Sequence, residues 1–127
     1  MKSYLGLGLA MLAGAVLGAV GMSALHAQAK PPAYVIAELD VTNEDGFLKE
    51  FTPLAQKALA ESGNKAIVRG GKIVMIEGAP AKRIVINSFA NLDVAVAAYD
   101  SAAYKDARKI GDKYAKFRLI AVEGLAQ

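Results

Sequence analysis

The sequence predicts an α+β sandwich of the ferredoxin-like kind, an antiparallel sheet covered on one face by two helices. Three observations lead there. After residue 29, segments with period-2 hydrophobicity alternate with segments of helical period. Their order reads β-α-β-β-β-α-β. Each helical segment carries a single apolar stripe, and two such stripes are satisfied together by one shared sheet face.

The first strand runs from Tyr34 to Val41, with Val35, Ala37, Leu39 and Val41 on one face and Tyr34, Ile36, Glu38 and Asp40 on the other. Thr42 and Asp45 have the spacing of a capping box, in which a hydroxyl accepts from an early backbone N–H. Phe47, Phe51, Leu54, Ala55, Ala58 and Leu59 then recur at helical spacing until Ser62-Gly63-Asn64 stops the helix. Pro53 inside that pattern predicts a kink or a division, because it removes a donor and clashes one turn back. Ala66 to Arg69 reads as a short strand, Gly70-Gly71 as a tight turn, and Lys72 to Glu77 as the returning strand of a hairpin. Arg83 to Phe89, rich in Ile and Val, is a further strand. Asn91 is a natural N-cap for a helix reaching Tyr99, with Asp93 at the positive end of its dipole. Ser101 caps a second segment, where Ala103, Ala107, Ile110, Tyr114 and Phe117 form a stripe and Gly111 costs up to about 1 kcal/mol relative to Ala. Arg118 to Glu123 is the last strand.

Residues 1–29 read as an export address. Met1 and Lys2 give a short positive start, and Leu5 to Leu25 carries no charge. Ala27-Gln28-Ala29 places small residues where a signal peptidase needs them, and Lys30-Pro31-Pro32 keeps the cut site extended. Cleavage after Ala29 would leave a domain of residues 30–127 in the periplasm or outside the cell. The alternative is an uncleaved N-terminal membrane anchor, since about 20 apolar residues span a bilayer and Gly14 and Gly18 form a G-x-x-x-G pair. The one histidine, His26, belongs to this segment, and the chain has no Cys and no Trp. The exported domain therefore has no imidazole or thiolate for a metal site, a haem ligand or a nucleophilic triad. No cofactor is expected. A net charge of +3, with 15 basic and 12 acidic residues, does not suggest nucleic acid.

The sheet face away from the helices is expected to carry Tyr34, Ile36, Glu38 and Asp40, then Arg83, Val85, Asn87 and Phe89, and finally Arg118, Ile120 and Val122. Half of that face is apolar, which predicts sheet-on-sheet homodimerisation around a cleft. Glu38, Asp40, Arg83, Asn87 and Arg118 are the ligand-binding candidates there. A buried carboxylate could carry a proton, and an arginine could clamp a carboxylate or enolate. The competing expectation is that Glu38 or Asp40 forms structural ion pairs with Arg83 or Arg118. Tyr99 and Tyr104 could offer hydroxyls to a ligand or pack helix against sheet. Arg69-Gly70-Gly71 could cradle an anion or make a hairpin turn. Lys105, Arg108, Lys109, Lys113 and Lys116 read as a solvated helix face, interrupted by Asp106 and Asp112.

Several pieces together resemble the bacterial family known as domain of unknown function 1330, over nearly all of Pro32 to Gly124. They are A-Y-V-I (Ala33 to Ile36), R-G-G (Arg69 to Gly71), E-G (Glu77, Gly78), R-I-V-I (Arg83 to Ile86), Phe89, Y-D-S-A-A-Y (Tyr99 to Tyr104) and V-E-G (Val122 to Gly124). The resemblance implies the dimeric α/β-barrel group, in which ferredoxin-like sheets pair around a cleft. Two departures stand out: Ala98 where members often have Trp, and Gly111 and Asp112 in a stretch where they often carry Arg. Related barrel groups include cofactor-free monooxygenases, haem-degrading enzymes and dye-decolourising peroxidases. These usually lean on His or Trp, which residues 30–127 lack. The function expected is an exported homodimer binding a small organic molecule between its sheets, with any turnover metal-free. The alternative is a non-catalytic envelope module that buries the same face against itself or another protein.

Overall fold

The computed structural model describes residues 30–127; the segment expected to be an export leader, the cleavage expected after Ala29 and His26 lie outside the described residues. Four strands and a series of helical segments follow. Strand β1 spans Ala33–Val41. Its alternation is realised as expected, with Ala33, Val35, Ala37 and Leu39 buried and Ile36, Glu38 and Asp40 only partly covered.

The chain then enters helix in three steps: α1 at Glu44–Gly46, a π-helical turn at Phe47–Phe51, and α2 at Thr52–Ala60. The cap is Asn43, whose Oδ1 accepts from Gly46 N–H at 3.0 Å. Thr42 instead donates its hydroxyl to the Tyr114 carbonyl at 3.0 Å, so the Thr42–Asp45 capping box does not form. Pro53 divides the helix as expected. It sits in the first turn of α2, where its missing donor costs least. The wide turn before it lets Thr52 N–H and Oγ1 both donate to the Phe47 carbonyl. Phe47 and Phe51 thereby face the sheet together, with ring centroids 5.1 Å apart and Phe51 edge-on to Phe117 at 5.2 Å.

Strand β2 is Lys65–Arg69 and β3 is Arg83–Phe89. The strand expected over 72–77 is absent. Gly70 N–H donates to the Ile84 carbonyl at 2.9 Å, so β2 pairs directly with β3 and residues 71–82 form the connection. β3 takes the pairing with β2 that a hairpin would have given to K-I-V-M-I-E, and Ile76 is 97% exposed. Helices α3 (Leu92–Asp100) and α4 (Ala102–Gly111) are capped as predicted, Asn91 accepting from Val94 N–H and Ser101 from Tyr104 N–H. The buried stripe of α4 is Tyr104, Ala107 and Gly111 rather than Ala103, Ala107 and Ile110, and the helix ends at Gly111. Tyr114 precedes and Phe117 lies within β4, Ala115–Glu123, which begins three residues earlier than expected.

The sheet order is β2-β3-β1-β4, every neighbouring pair antiparallel, with Ile36 opposite both Ile86 and Ile120. This is the ferredoxin-like arrangement. It corrects the β3 face. Val35 pairs with Asn87, Ala37 with Val85 and Leu39 with Arg83, so Arg83, Val85, Asn87 and Phe89 lie on the helix-covered side. Ile84, Ile86 and Ser88 take their place on the other face. Because R-I-V-I-N-S-F is apolar at both parities, alternation alone selects neither face; Phe89, 2% exposed opposite the fully buried Ala33, anchors the choice. Among the described residues no helix is long and apolar enough to cross a membrane.

Candidate functional site

The inverted face of β3 moves half of the expected site under the helices. A cavity of about 410 Å³ opens there, between the sheet and the helical layer. Its floor is Ala37 and Leu39 of β1, Val85 of β3 and Leu119 of β4, and its roof includes Phe47, Phe51, Ala55 and Leu59. The π turn supplies the aromatic part of that roof by bringing Phe47 and Phe51 to one side.

Polar groups enter at the Asn87 end. Asn87, only 6% exposed, accepts from Asn64 Nδ2 at 3.1 Å and donates through its own Nδ2 to the Tyr99 hydroxyl at 3.0 Å. All three residues line the cavity. The chain of bonds runs from the turn after α2, through β3, to the last turn of α3. The Tyr99 ring stands edge-on to Phe89 at 5.9 Å and to Tyr104 at 4.6 Å, which fixes its plane. Burial pushes the Tyr99 phenol above the usual tyrosine value, opposed by the Asn87 hydrogen bond, so it stays protonated at neutral pH. Tyr104 is raised further, by burial first and then by the neighbouring Tyr99, against the lowering influence of Arg108. Because the Tyr99 oxygen accepts from Asn87, its own hydrogen remains to be donated elsewhere.

Two guanidinium groups line the more exposed part. Arg83 pairs with Glu44, Nη2 to Oε1 at 2.6 Å, and lies 5.4 Å from the Phe47 ring centroid. Arg69 is on β2, opposite Val85 in register. The backbone cradle considered at Arg69-Gly70-Gly71 loses one donor, because the Gly70 N–H is committed to Ile84.

Glu38, Asp40 and Arg118 are not part of this cavity. Glu38 and Arg118 are cross-strand partners on the opposite face, 3.4 Å apart, and Asp40 pairs with Lys82 at 3.2 Å. The ion-pair expectation therefore describes Glu38 and Arg118, whereas Arg83 finds Glu44. Of the basic run, Lys105 and Lys109 lie on a solvated face of α4, with Lys105 bound to Asp100, whereas Arg108 pairs with Asp112 and stacks over the Phe117 ring. Asn64 was invisible as a site residue, since its position after Gly63 reads only as a helix stop. Among the described residues no group of three or more His, Cys, Asp or Glu comes together as a metal cluster.

Fold and cavity define a ferredoxin-like α+β domain with an internal pocket. Within that class the chain belongs to the family described as domain of unknown function (DUF1330), whose model matches residues 32–125. No curated protein matches the sequence. Among solved structures, it is similar to RPA0582 of Rhodopseudomonas palustris, a protein of unknown function, with a TM-score of 0.62 at 14% identity over 76% of this chain and 84% of that one. It is also similar to SnoaB of Streptomyces nogalater, a cofactor-independent oxygenase, with a TM-score of 0.51 at 9% identity over 76% and 96% of the two chains. An ethyl tert-butyl ether d (ethd) family protein of Bacillus halodurans gives 0.50 at 16% identity, over 74% and 99%. At such identities the likeness is one of fold.

Proposed function

We propose that this protein binds a small, mainly apolar organic molecule in the cavity beneath its helices, and does so as an exported homodimer. The observation that carries the reading is the cavity itself: about 410 Å³, walled by aromatic and aliphatic side chains, with one buried hydrogen-bonding end. Small-molecule sites commonly enclose about 300–1,000 Å³ and combine apolar walls with a few placed polar groups. The Tyr99 phenol, held by Asn87, is set to donate to a carbonyl or hydroxyl oxygen on the ligand. The binding space proposed thus lies within each protomer rather than between the sheets. SnoaB illustrates that this fold accommodates a cofactor-independent oxygenase; any turnover here would have to proceed without His or Cys, since residues 30–127 hold neither.

The second sheet face supports the dimer. Ile36, Ile84, Ile86, Ile120 and Val122 share it, with Ile120 and Val122 still 40% and 44% exposed. Covering such a patch with a second copy removes apolar area from water at about 25 cal/mol per Å². The leader at residues 1–29 supports export to the periplasm or beyond.

Calorimetric titration with the neutral probe 2-naphthalenemethanol tests the site. Saturable binding of one probe per chain is expected, and Ala55→Phe, which adds a ring to the roof, should abolish it in a chain that retains its circular dichroism. No binding, or binding indifferent to Ala55→Phe, overturns the reading. The rival reading, an envelope module that buries the open sheet face against itself or another protein, draws on Ile120 and Val122 there; it gains if the cavity stays empty and a partner protein protects that face.

A further inference from the structure

We infer that the ligand of this cavity is an organic anion, its carboxylate or enolate held by Arg69, an inference that rests on the cavity being the binding site. The cavity lining includes two guanidinium groups and no Asp or Glu. They are not equivalent. Arg83 is already compensated by Glu44 at 2.6 Å and by the face of Phe47. Arg69, among the described residues, makes no ion pair. Both flank the same turn: Arg69 precedes Gly70, and a Cβ at Gly70 would lie 3.7 Å from the Arg83 side chain.

The register sets what adjoins that charge. Arg69 lies opposite Val85, which lies opposite Ala37, which lies opposite Leu119, so a cation ends a row of apolar floor residues. Asn87 occupies the next row on the same face, about 7 Å along β3 by the rise of an extended strand. A molecule lying across the floor would meet a neutral donor at Tyr99, apolar walls along its body, and an uncompensated cation at its other end. A planar anion matches the guanidinium fork through paired N–H groups. A neutral molecule gains nothing from this solvent-exposed guanidinium and a cation is repelled, so an aromatic or alicyclic acid with an oxygen at its far end is the class that fits.

Isothermal titration of the full chain at low ionic strength compares 2-naphthoate with 2-naphthalenemethanol. The acid is expected to bind about 10-fold tighter, as one charge-assisted contact allows. Arg69→Gln should bring its affinity down to near that of the alcohol, and Glu44→Gln, which releases Arg83, should raise it. Equal affinities, or a preference for the alcohol, overturn the anion inference while leaving the cavity reading intact. Failure of both probes overturns both. An advantage of the acid that survives Arg69→Gln, alone and together with Arg83→Gln, also overturns it.

Discussion

Tyr99 and Tyr104 share one physical circumstance: each phenol is pushed above its ordinary value chiefly by burial. The sign of the stability consequence follows. A raised folded-state value means the native protein holds the proton more tightly than the unfolded chain. The stability from these neutral phenols is fully present below about pH 10, the unfolded value, and is lost as pH rises through the folded values. Denaturation should therefore show no pH dependence from them around neutral pH and a decline in stability above about pH 10. Tyr104→Phe, which removes the more strongly shifted group, should flatten that decline. Ultraviolet difference titration against Tyr99→Phe and Tyr104→Phe should show both phenols ionising late, with or after unfolding; ionisation of either near pH 10 in the folded chain would contradict the burial. Neither shift was legible in the sequence, where Tyr99 and Tyr104 stood equally for ligand contact and for packing. Only the Asn64–Asn87–Tyr99 chain of bonds separates the two tyrosines by role.

At the scale of elements, Gly111 shows how a local propensity can mislead. In the sequence it is a defect inside a helical stripe that reaches Phe117, and Ala would be the better helix former. In the structure it is where α4 meets the aromatic roof. An added Cβ would stand 2.7 Å from Phe51 and 2.9 Å from Phe117, two rings already in edge contact with one another. Gly111→Ala should destabilise the protein by about 1–3 kcal/mol, as overpacking a filled core does, and should narrow the cavity by displacing Phe51. A urea melt with an unchanged or raised midpoint would show that the rings yield without penalty. The hairpin expected over 66–77 fails through tertiary context as well. Its residues suit a strand in isolation, but β3 pairs with β2 in its place, and this segment does not take up the outer edge of β2.

For the whole molecule, the open sheet face is where the proposed dimer would form. Ile36, Ile86 and Ile120 lie side by side across β3, β1 and β4, with the Glu38–Arg118 pair one row away. If a second copy covers this row, Ile86→Glu places a charge in the interface without touching the helix-side cavity. Sedimentation should then shift from dimer to monomer while the binding of 2-naphthalenemethanol persists. A monomeric parent chain would remove the dimer from the proposal and leave the cavity standing. Export is separately decided by the N-terminus of the protein recovered from cells, which mass spectrometry should find at Lys30.

The fold was legible because most of its signals are local. Strand alternation in β1, the caps at Asn91 and Ser101, and the interruption at Pro53 each depend on residues a few positions apart, and together they are enough to specify two helices over an antiparallel sheet. The site was only half legible. Tyr99, Tyr104, Asn87 and Arg83 were singled out by chemistry, but Asn87 and Arg83 were assigned to the wrong side, and Glu38, Asp40 and Arg118 were grouped with them. Which face β3 turns inward depends on its register with β1, and a shift of one residue exchanges every side chain between core and open face. A strand greasy at both parities carries no local preference to decide that. Long-range pairing, with Phe89 set against Ala33, made the decision and placed Asn87 within reach of Tyr99.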